Sequence, residues 1–244
     1  MLSHPRMLVG VFSGLVFSGK SFFRRWVMSL PEYREAAFVS ADAVRDRLYG
    51  NRSDTNITKT EHVFKNEATR FELLTKLIVE RPPAVFLEMV MLTRDAHQQP
   101  FAEMIESASR YLQIIEHEEF LRDNKPVPVS PVKVDFSCVY FYCDLETVER
   151  RIGYRRRELE TLGNVTNASV FDFGGFIRGA RQIEIPPAGY TPLYINTSDE
   201  SEVALNRQRE EVLSFLKGEM PIDEEELERR AVEAVAFLEQ ARQM

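Results

Sequence analysis

An α/β fold is expected for this chain: a three-layer sandwich with a five-stranded, mainly parallel sheet and helices on both faces. Short β-rich runs alternate with helical stretches along the whole length, the order in which strands feed crossover helices. The chain has 244 residues, 44% hydrophobic and 28% charged, enough apolar material for one sizeable core.

Met7–Phe12 reads as the first strand and Ser21–Ser29 as the helix after it, with Pro31 just beyond. Ala37–Val39 is a short second strand, and Ala41–Leu48 a brief helix closed by Gly50. A long helix is predicted over Lys59–Val79, where Phe64, Ala68, Phe71 and Leu74 recur at helical spacing. Pro82 and Pro83 end it before a third strand, Ala84–Glu88. A helical segment starts near Thr93, and residues 111–133 read as irregular, with three prolines in 125–131. Val134–Tyr142 is the clearest strand, and a charged helix follows over Leu145–Leu162. Asn164–Gly179 reads as a mobile loop rich in Gly and Asn. Pro192–Asn196 is the last strand, Glu202–Lys217 a closing helix, and Asp223–Gln243 an acidic, Ala-rich helix. One domain is expected over 1–220, with a helical lid at about 145–183. Residues 221–244 form an extra C-terminal helix that packs on it through Leu227, Ala231, Ala234 and Phe237.

Between the first strand and the first helix lies Gly14-Leu15-Val16-Phe17-Ser18-Gly19-Lys20-Ser21, which fits G-x-x-x-x-G-K-[ST]. Glycines let such a loop curl so that successive N–H groups face phosphate oxygens, and the following helix presents its positive end. The expected nucleotide contacts are Gly14, Ser18, Gly19, Lys20, Ser21 and Phe22, with Lys20 on the outer phosphates and the Ser21 hydroxyl on Mg²⁺. Strand before and helix after give the motif its required setting. A P-loop nucleotide-binding sandwich, using ATP and Mg²⁺, is therefore expected.

The kind of nucleotide protein follows from what accompanies the loop. A GTPase needs Asn-Lys-x-Asp, yet the one Asn-Lys pair, Asn124-Lys125, continues Pro-Val. Asp172-Phe173-Gly174-Gly175 lies too late to be a switch. An acid at the end of the second strand sits on the ligand-binding edge of such a sheet. Asp42 can there accept the proton of an attacking hydroxyl, and Arg45, one turn on, can hold an anionic acceptor. Asp42 as a helix N-cap is the structural alternative. On the charged helix, Arg151 and Arg155 share a face and suit phosphate neutralisation, whereas Arg156 and Arg157 read as surface residues balanced by neighbouring Glu.

These features resemble the P-loop kinases related to phage polynucleotide 5′-kinase, zeta toxins and chloramphenicol phosphotransferase, loosely over Met7 to Asn196. The resemblance rests on the loop, on Asp42-Ala43-Val44-Arg45, and on Arg151-Ile152-Gly153-Tyr154-Arg155. It implies Asp42 as general base, Arg45 at the acceptor, and lid arginines Arg151 and Arg155 on ATP phosphates. Lys20, Asp42 and Arg155 are thereby the catalytic candidates. Relatives carry Asp-Ala-Thr-Asn after the third strand; here Glu88-Met89-Val90-Met91-Leu92-Thr93 stands instead. Glu88 can replace the Asp as a Mg²⁺ partner or acceptor contact, but the Asn is lost.

The expected activity is transfer of the ATP γ-phosphate to a hydroxyl of a polynucleotide, nucleotide or small molecule. A nucleotide-dependent switch without transfer, and a toxin-like kinase of a nucleotide sugar, are the competing readings. Net charge is −7, which opposes non-specific adhesion to nucleic acid. No stretch reaches the roughly 18 uncharged apolar residues of a membrane span, so no membrane partner is expected. The apolar start, Met7–Phe17, contains the phosphate loop and leads into Lys20, Arg24 and Arg25, which argues against a signal segment. With two cysteines, Cys138 and Cys143, and no disulfide framework, the chain reads as cytoplasmic.

Overall fold

The computed structural model describes residues 6–50, 57–89, 95–123, 133–161, 173–181, 192–220 and 223–244. The Val90–Thr93 stretch, the Pro-rich 125–131 and the first part of the predicted 164–179 loop lie outside the described residues.

Strands β1 (Arg6–Gly14), β2 (Ala37–Ser40), β3 (Ala84–Glu88), β4 (Lys133–Tyr142) and β5 (Leu193–Asn196) form one sheet in the order β2-β3-β1-β4-β5. Every pairing is parallel, so the fold is the expected α/β sandwich and its sheet is parallel throughout. Side chains alternate across β1. Met7, Val9 and Val11 enter one buried cluster, and Phe12 enters another on the opposite face. The helices are α1 (Lys20–Ser29), α2 (Ala41–Tyr49), α3 (Lys59–Thr75), α4 (Asp95–Asp123), α5 (Leu145–Thr161), α6 (Phe173–Ala180), α7 (Glu202–Lys217) and α8 (Glu224–Gln243).

Phe23 and Val27 of α1 pack with Val212 and Leu216 of α7 on the Phe12 face. Leu73 of α3 and Met104, Ile105, Ala108 and Leu112 of α4 cover the other face. That same face continues past β4, where Tyr140, Tyr142 and Tyr194 meet Val148, Ile152, Phe176, Ala234 and Phe237. The chain leaves β1 toward β2 and leaves β4 toward β5, on opposite sides. A sheet whose connections diverge in this way opens a crevice at the carboxyl ends of those strands.

Three expectations are corrected. The stretch predicted as irregular is helical as far as Asp123, because Met104, Ile105, Ala108 and Leu112 form one apolar stripe against the sheet. Residues 173–180, read as part of a loop, form α6. Its glycines disfavour a helix, but burial of Phe176, Ile177 and Ala180 overrides them. The α3 periodicity does not run unbroken to Val79: the last five residues, Lys76–Glu80, form a π-helical turn closed by Arg81 at φ 50°.

Within the span read as a lid, the base of α5 is buried through Val148 and Ile152, while Tyr154 to Glu158 are exposed. α8 lies along β5 and buries Leu227, Ala234, Phe237, Leu238 and Ala241. Among the described residues no helix is long and apolar enough to cross a membrane.

Candidate functional site

The crevice is floored by residues 14–21. Gly14 takes φ 131°, and a Cβ there would lie 2.2 Å from the Phe141 carbonyl oxygen, so only glycine lets β1 pass β4 this closely. Gly19 takes φ 95° as the residue before α1. Phe17 takes φ 67°, a left-handed conformation that costs a bulky residue on the order of 1–3 kcal/mol. Left-handed residues alternating with right-handed ones make a nest of inward amides, the shape that receives an anion.

Three of the loop's carbonyls are held by side chains. The Leu15 oxygen accepts from Lys20 Nζ at 2.8 Å, and the Phe17 oxygen accepts from Arg151 Nη1 at 2.7 Å. The Ser18 oxygen accepts from Thr197 Oγ1 at 2.9 Å. By contrast, the amides at the start of α1 meet no side-chain cap and no acidic residue in the first turn. α2, α3, α7 and α8 are each capped by a side chain, from Ser40, Thr58, Ser201 and Asp223. An α-helix leaves its first N–H groups without i−4 partners; here the Phe22 N–H turns back to the Gly19 oxygen at 3.0 Å, and no side-chain cap meets the helix start. The Ser18 hydroxyl is buried beside them with no hydrogen-bond partner.

Lys20 is 6% exposed. Burial pulls its pKa below the ordinary lysine value of 10.5, while the charges of Glu88 and Asp42 pull the other way. Glu88, at the end of β3, accepts from Ser21 Oγ at 2.5 Å and from Arg24 Nε at 3.1 Å. Register explains the meeting: Glu88 pairs with Phe12 of β1 and with Ser40 of β2, so β2 and β3 end level, two residues before β1 reaches Gly14. Arg24 also stacks on Phe38, 4.1 Å from the ring centre. Arg24 was missed in the sequence, although it lies one helical turn beyond Ser21.

Asp42 does not cap α2; the Ser40 hydroxyl does, accepting from the Ala43 amide at 3.3 Å. The Asp42 carboxylate is more than half exposed and pairs with Arg45 at 3.0 Å, and Arg45 also pairs with Asp46. Asp42, Arg45, Glu88, Lys20 and Ser21 thus share the carboxyl edge of the sheet. Phe22 is 39% exposed, packed edge-on against Phe23 and beneath the Arg209 guanidinium.

Arg151, expected from the sequence on the ATP phosphates, is engaged within the protein in this structure. Its donors go to protein: Phe17 O, Thr197 Oγ1 at 3.0 Å, Thr197 O at 2.7 Å and Glu200 at 2.9 Å. Thr197, 2% exposed just past β5, was not singled out, because a lone threonine after a short strand carries no sequence signal. Arg155, one turn further along α5, is exposed and pairs with Glu158 at 2.5 Å. Cys143 lies under the loop, its thiol 3.7 Å from the Phe17 oxygen and pushed up to about 11 by burial.

No known family profile matches the chain, and no curated protein does. Solved structures do. An inferred kinase from Chloroflexus aurantiacus aligns with TM-score 0.50 at 13% identity, over 89% of this chain and 100% of its own. An unliganded sugar kinase from Janibacter aligns with TM-score 0.49 at 13% identity, over 87% of this chain and 94% of its own. Chaetomium thermophilum Kti12, in complex with ADP-AlF3, aligns with TM-score 0.49 at 13% identity, covering 86% and 98%. At this identity the likeness to the Chloroflexus structure establishes the fold alone: an α/β sandwich around a parallel five-stranded sheet.

Proposed function

We propose that this chain is an ATP-dependent phosphotransferase acting on a hydroxyl acceptor. The observation that carries the reading is the N-terminus of α1, without a side-chain cap, beside a loop whose Phe17 and Ser18 carbonyls are bound by Arg151 and Thr197. Such a surface offers amides and a buried ammonium group, the complement of a polyphosphate. The residues present fit the group: Gly14–Ser21 hold the phosphates, Lys20 neutralises the outer ones, and the Ser21 hydroxyl with Glu88 beside it suits Mg²⁺. Bound Mg·ATP supplies the phosphoryl group and the metal's positive charge.

The chain's own residues do the rest. Asp42, paired with Arg45 at 3.0 Å, takes the proton of the acceptor hydroxyl. Arg45 and Glu88 orient the acceptor, and Arg155 adds positive charge from the exposed part of α5. This assignment of roles is supported by the resemblance to polynucleotide 5′-kinase, zeta toxin and chloramphenicol phosphotransferase. Catalysis on this plan is positioning and charge neutralisation rather than covalent chemistry.

The test is calorimetric titration with a non-hydrolysable Mg·ATP analogue. It is followed by transfer from radiolabelled ATP to 5′-hydroxyl oligonucleotides, nucleosides, sugars and nucleotide sugars. Lys20→Ala is expected to abolish turnover. Asp42→Asn is expected to bind the analogue as well as the parent and to lose transfer by about 10²-fold or more. Wild-type transfer by Asp42→Asn removes the base assignment. A switch without transfer is favoured by one observation, the pairing of Glu88 with both Ser21 and Arg24. It predicts binding with no labelled product from any acceptor.

A further inference from the structure

We infer that Arg151 is a positioning residue that holds the phosphate-binding loop in its receptive shape by clamping the left-handed Phe17 peptide. The inference rests on the nucleotide-binding reading above, but assigns Arg151 a task other than contact with phosphate.

Phe17 is one of two non-glycine residues with positive φ among those described, and it lies inside the loop. A strained backbone persists only where its surroundings over-determine it, and strain of this kind gathers at ligand clamps. The surroundings here are the Arg151 guanidinium. Nη1 donates to the Phe17 oxygen at 2.7 Å, Nη2 donates to the Thr197 oxygen at 2.7 Å, and Nε donates to Glu200 at 2.9 Å. Three elements therefore fix one rigid fork: the loop itself, the segment after β5, and α5, whose base is anchored by buried Val148 and Ile152. Thr197 extends the clamp by one residue, because its hydroxyl both accepts from Arg151 and reaches the Ser18 oxygen.

The geometry has a direct consequence for the amides. In a planar peptide the N–H points opposite to the C=O. Holding the Phe17 and Ser18 oxygens toward Arg151 and Thr197 turns the Ser18 and Gly19 N–H groups to the other side, where the Ser18 N–H closes a turn on the Leu15 oxygen at 3.3 Å. A lysine at 151 would keep the charge but not the planar fork. Glycine at 17 would adopt the left-handed conformation without steric cost and make the clamp dispensable.

The experiment uses the full chain in four forms: parent, Arg151→Met, Arg151→Lys, and the double variant Arg151→Met/Phe17→Gly. Two quantities are read: Kd for a non-hydrolysable Mg·ATP analogue, and hydrogen exchange of the Ser18 and Gly19 amides in the nucleotide-free protein. Arg151→Met and Arg151→Lys are both expected to weaken binding by about 10-fold or more and to speed exchange at those amides. The double variant is expected to return to within about 3-fold of the parent Kd, because glycine removes the strain. Three results overturn the inference: Arg151→Met binding like the parent, Arg151→Lys binding like the parent, or an Arg151→Met defect that Phe17→Gly leaves unrepaired. If Arg151→Met does not fold, the lysine variant carries the same comparison. A parent protein that binds no triphosphate sinks the functional reading instead, and the exchange rates then judge the clamp alone.

Discussion

Gly14 and Lys20 stand at opposite ends of the loop and bear on stability in opposite directions. A methyl group at Gly14 meets the Phe141 backbone oxygen at 2.2 Å, and neither strand can withdraw without breaking the β1–β4 ladder. Gly14→Ala is therefore expected to cost about 3 kcal/mol or more, measured by urea unfolding. Lys20 is a charge kept in a dry place. Its pKa lies below the ordinary 10.5 because burial disfavours the ammonium form. Below the folded pKa both states carry the proton and the burial penalty is full. Between that pKa and 10.5 the folded chain binds fewer protons than the unfolded one, so the penalty fades as pH climbs through this window. Lys20→Met should raise the Tm of the nucleotide-free protein at pH 7, by about 2–4 °C for each kcal/mol relieved, while abolishing triphosphate binding. Scanning calorimetry and titration of the same variant check both halves; an unchanged or lower Tm refutes the penalty. Residues of this kind were legible because their chemistry is tied to spacing: Gly14, Gly19, Lys20 and Ser21 announce one another. Arg24 and Thr197 were not, since their roles depend on Glu88 and Ser18, which arrive from distant parts of the chain.

Elements were readable to the degree that their own period survived. β3 and α7 have the limits their sequences suggested, because Pro83 and Gly218 punctuate them and their apolar residues face one way. α6 was not readable. Three glycines in eight residues argue against a helix, and only contact with α8, where Phe176 meets Phe237, makes one. α8 in turn supplies the wall of that cluster and ties itself to the sheet edge through Arg230, which reaches the Tyr194 oxygen and pairs with Glu211 at 2.8 Å. Phe237→Ala should cost about 3–5 kcal/mol by the burial it removes, seen as a lower urea midpoint with the slope retained. A change within about 0.5 kcal/mol would mean that α8 contributes little to the core.

At the scale of the whole molecule, charge and topology act together. The chain carries a net −7, and arginines of α5 are partnered: Arg150 and Arg151 with Glu200, Arg155 with Glu158. A phosphate backbone would have to displace those carboxylates. Fluorescently labelled single-stranded oligonucleotide lacking a 5′-hydroxyl should therefore show no anisotropy change with micromolar protein at physiological salt, where electrostatic adhesion is already weak. Salt-sensitive retention of that strand would instead reveal a basic track that the pairings conceal. The parallel sheet was foreseeable from the alternation of strand and helix, whereas its order was not, because nothing local to β1 states that β3 and β4 will flank it. The contact between α8 and β5 has a last effect, on timing. Tyr142, Tyr194 and Phe176 wait for Phe237 and Leu238, which a ribosome delivers only after more than two hundred residues have already emerged. A nascent chain therefore carries a greasy, half-covered flank until the closing helix is born. A host short of chaperones should recover this protein mostly as insoluble material.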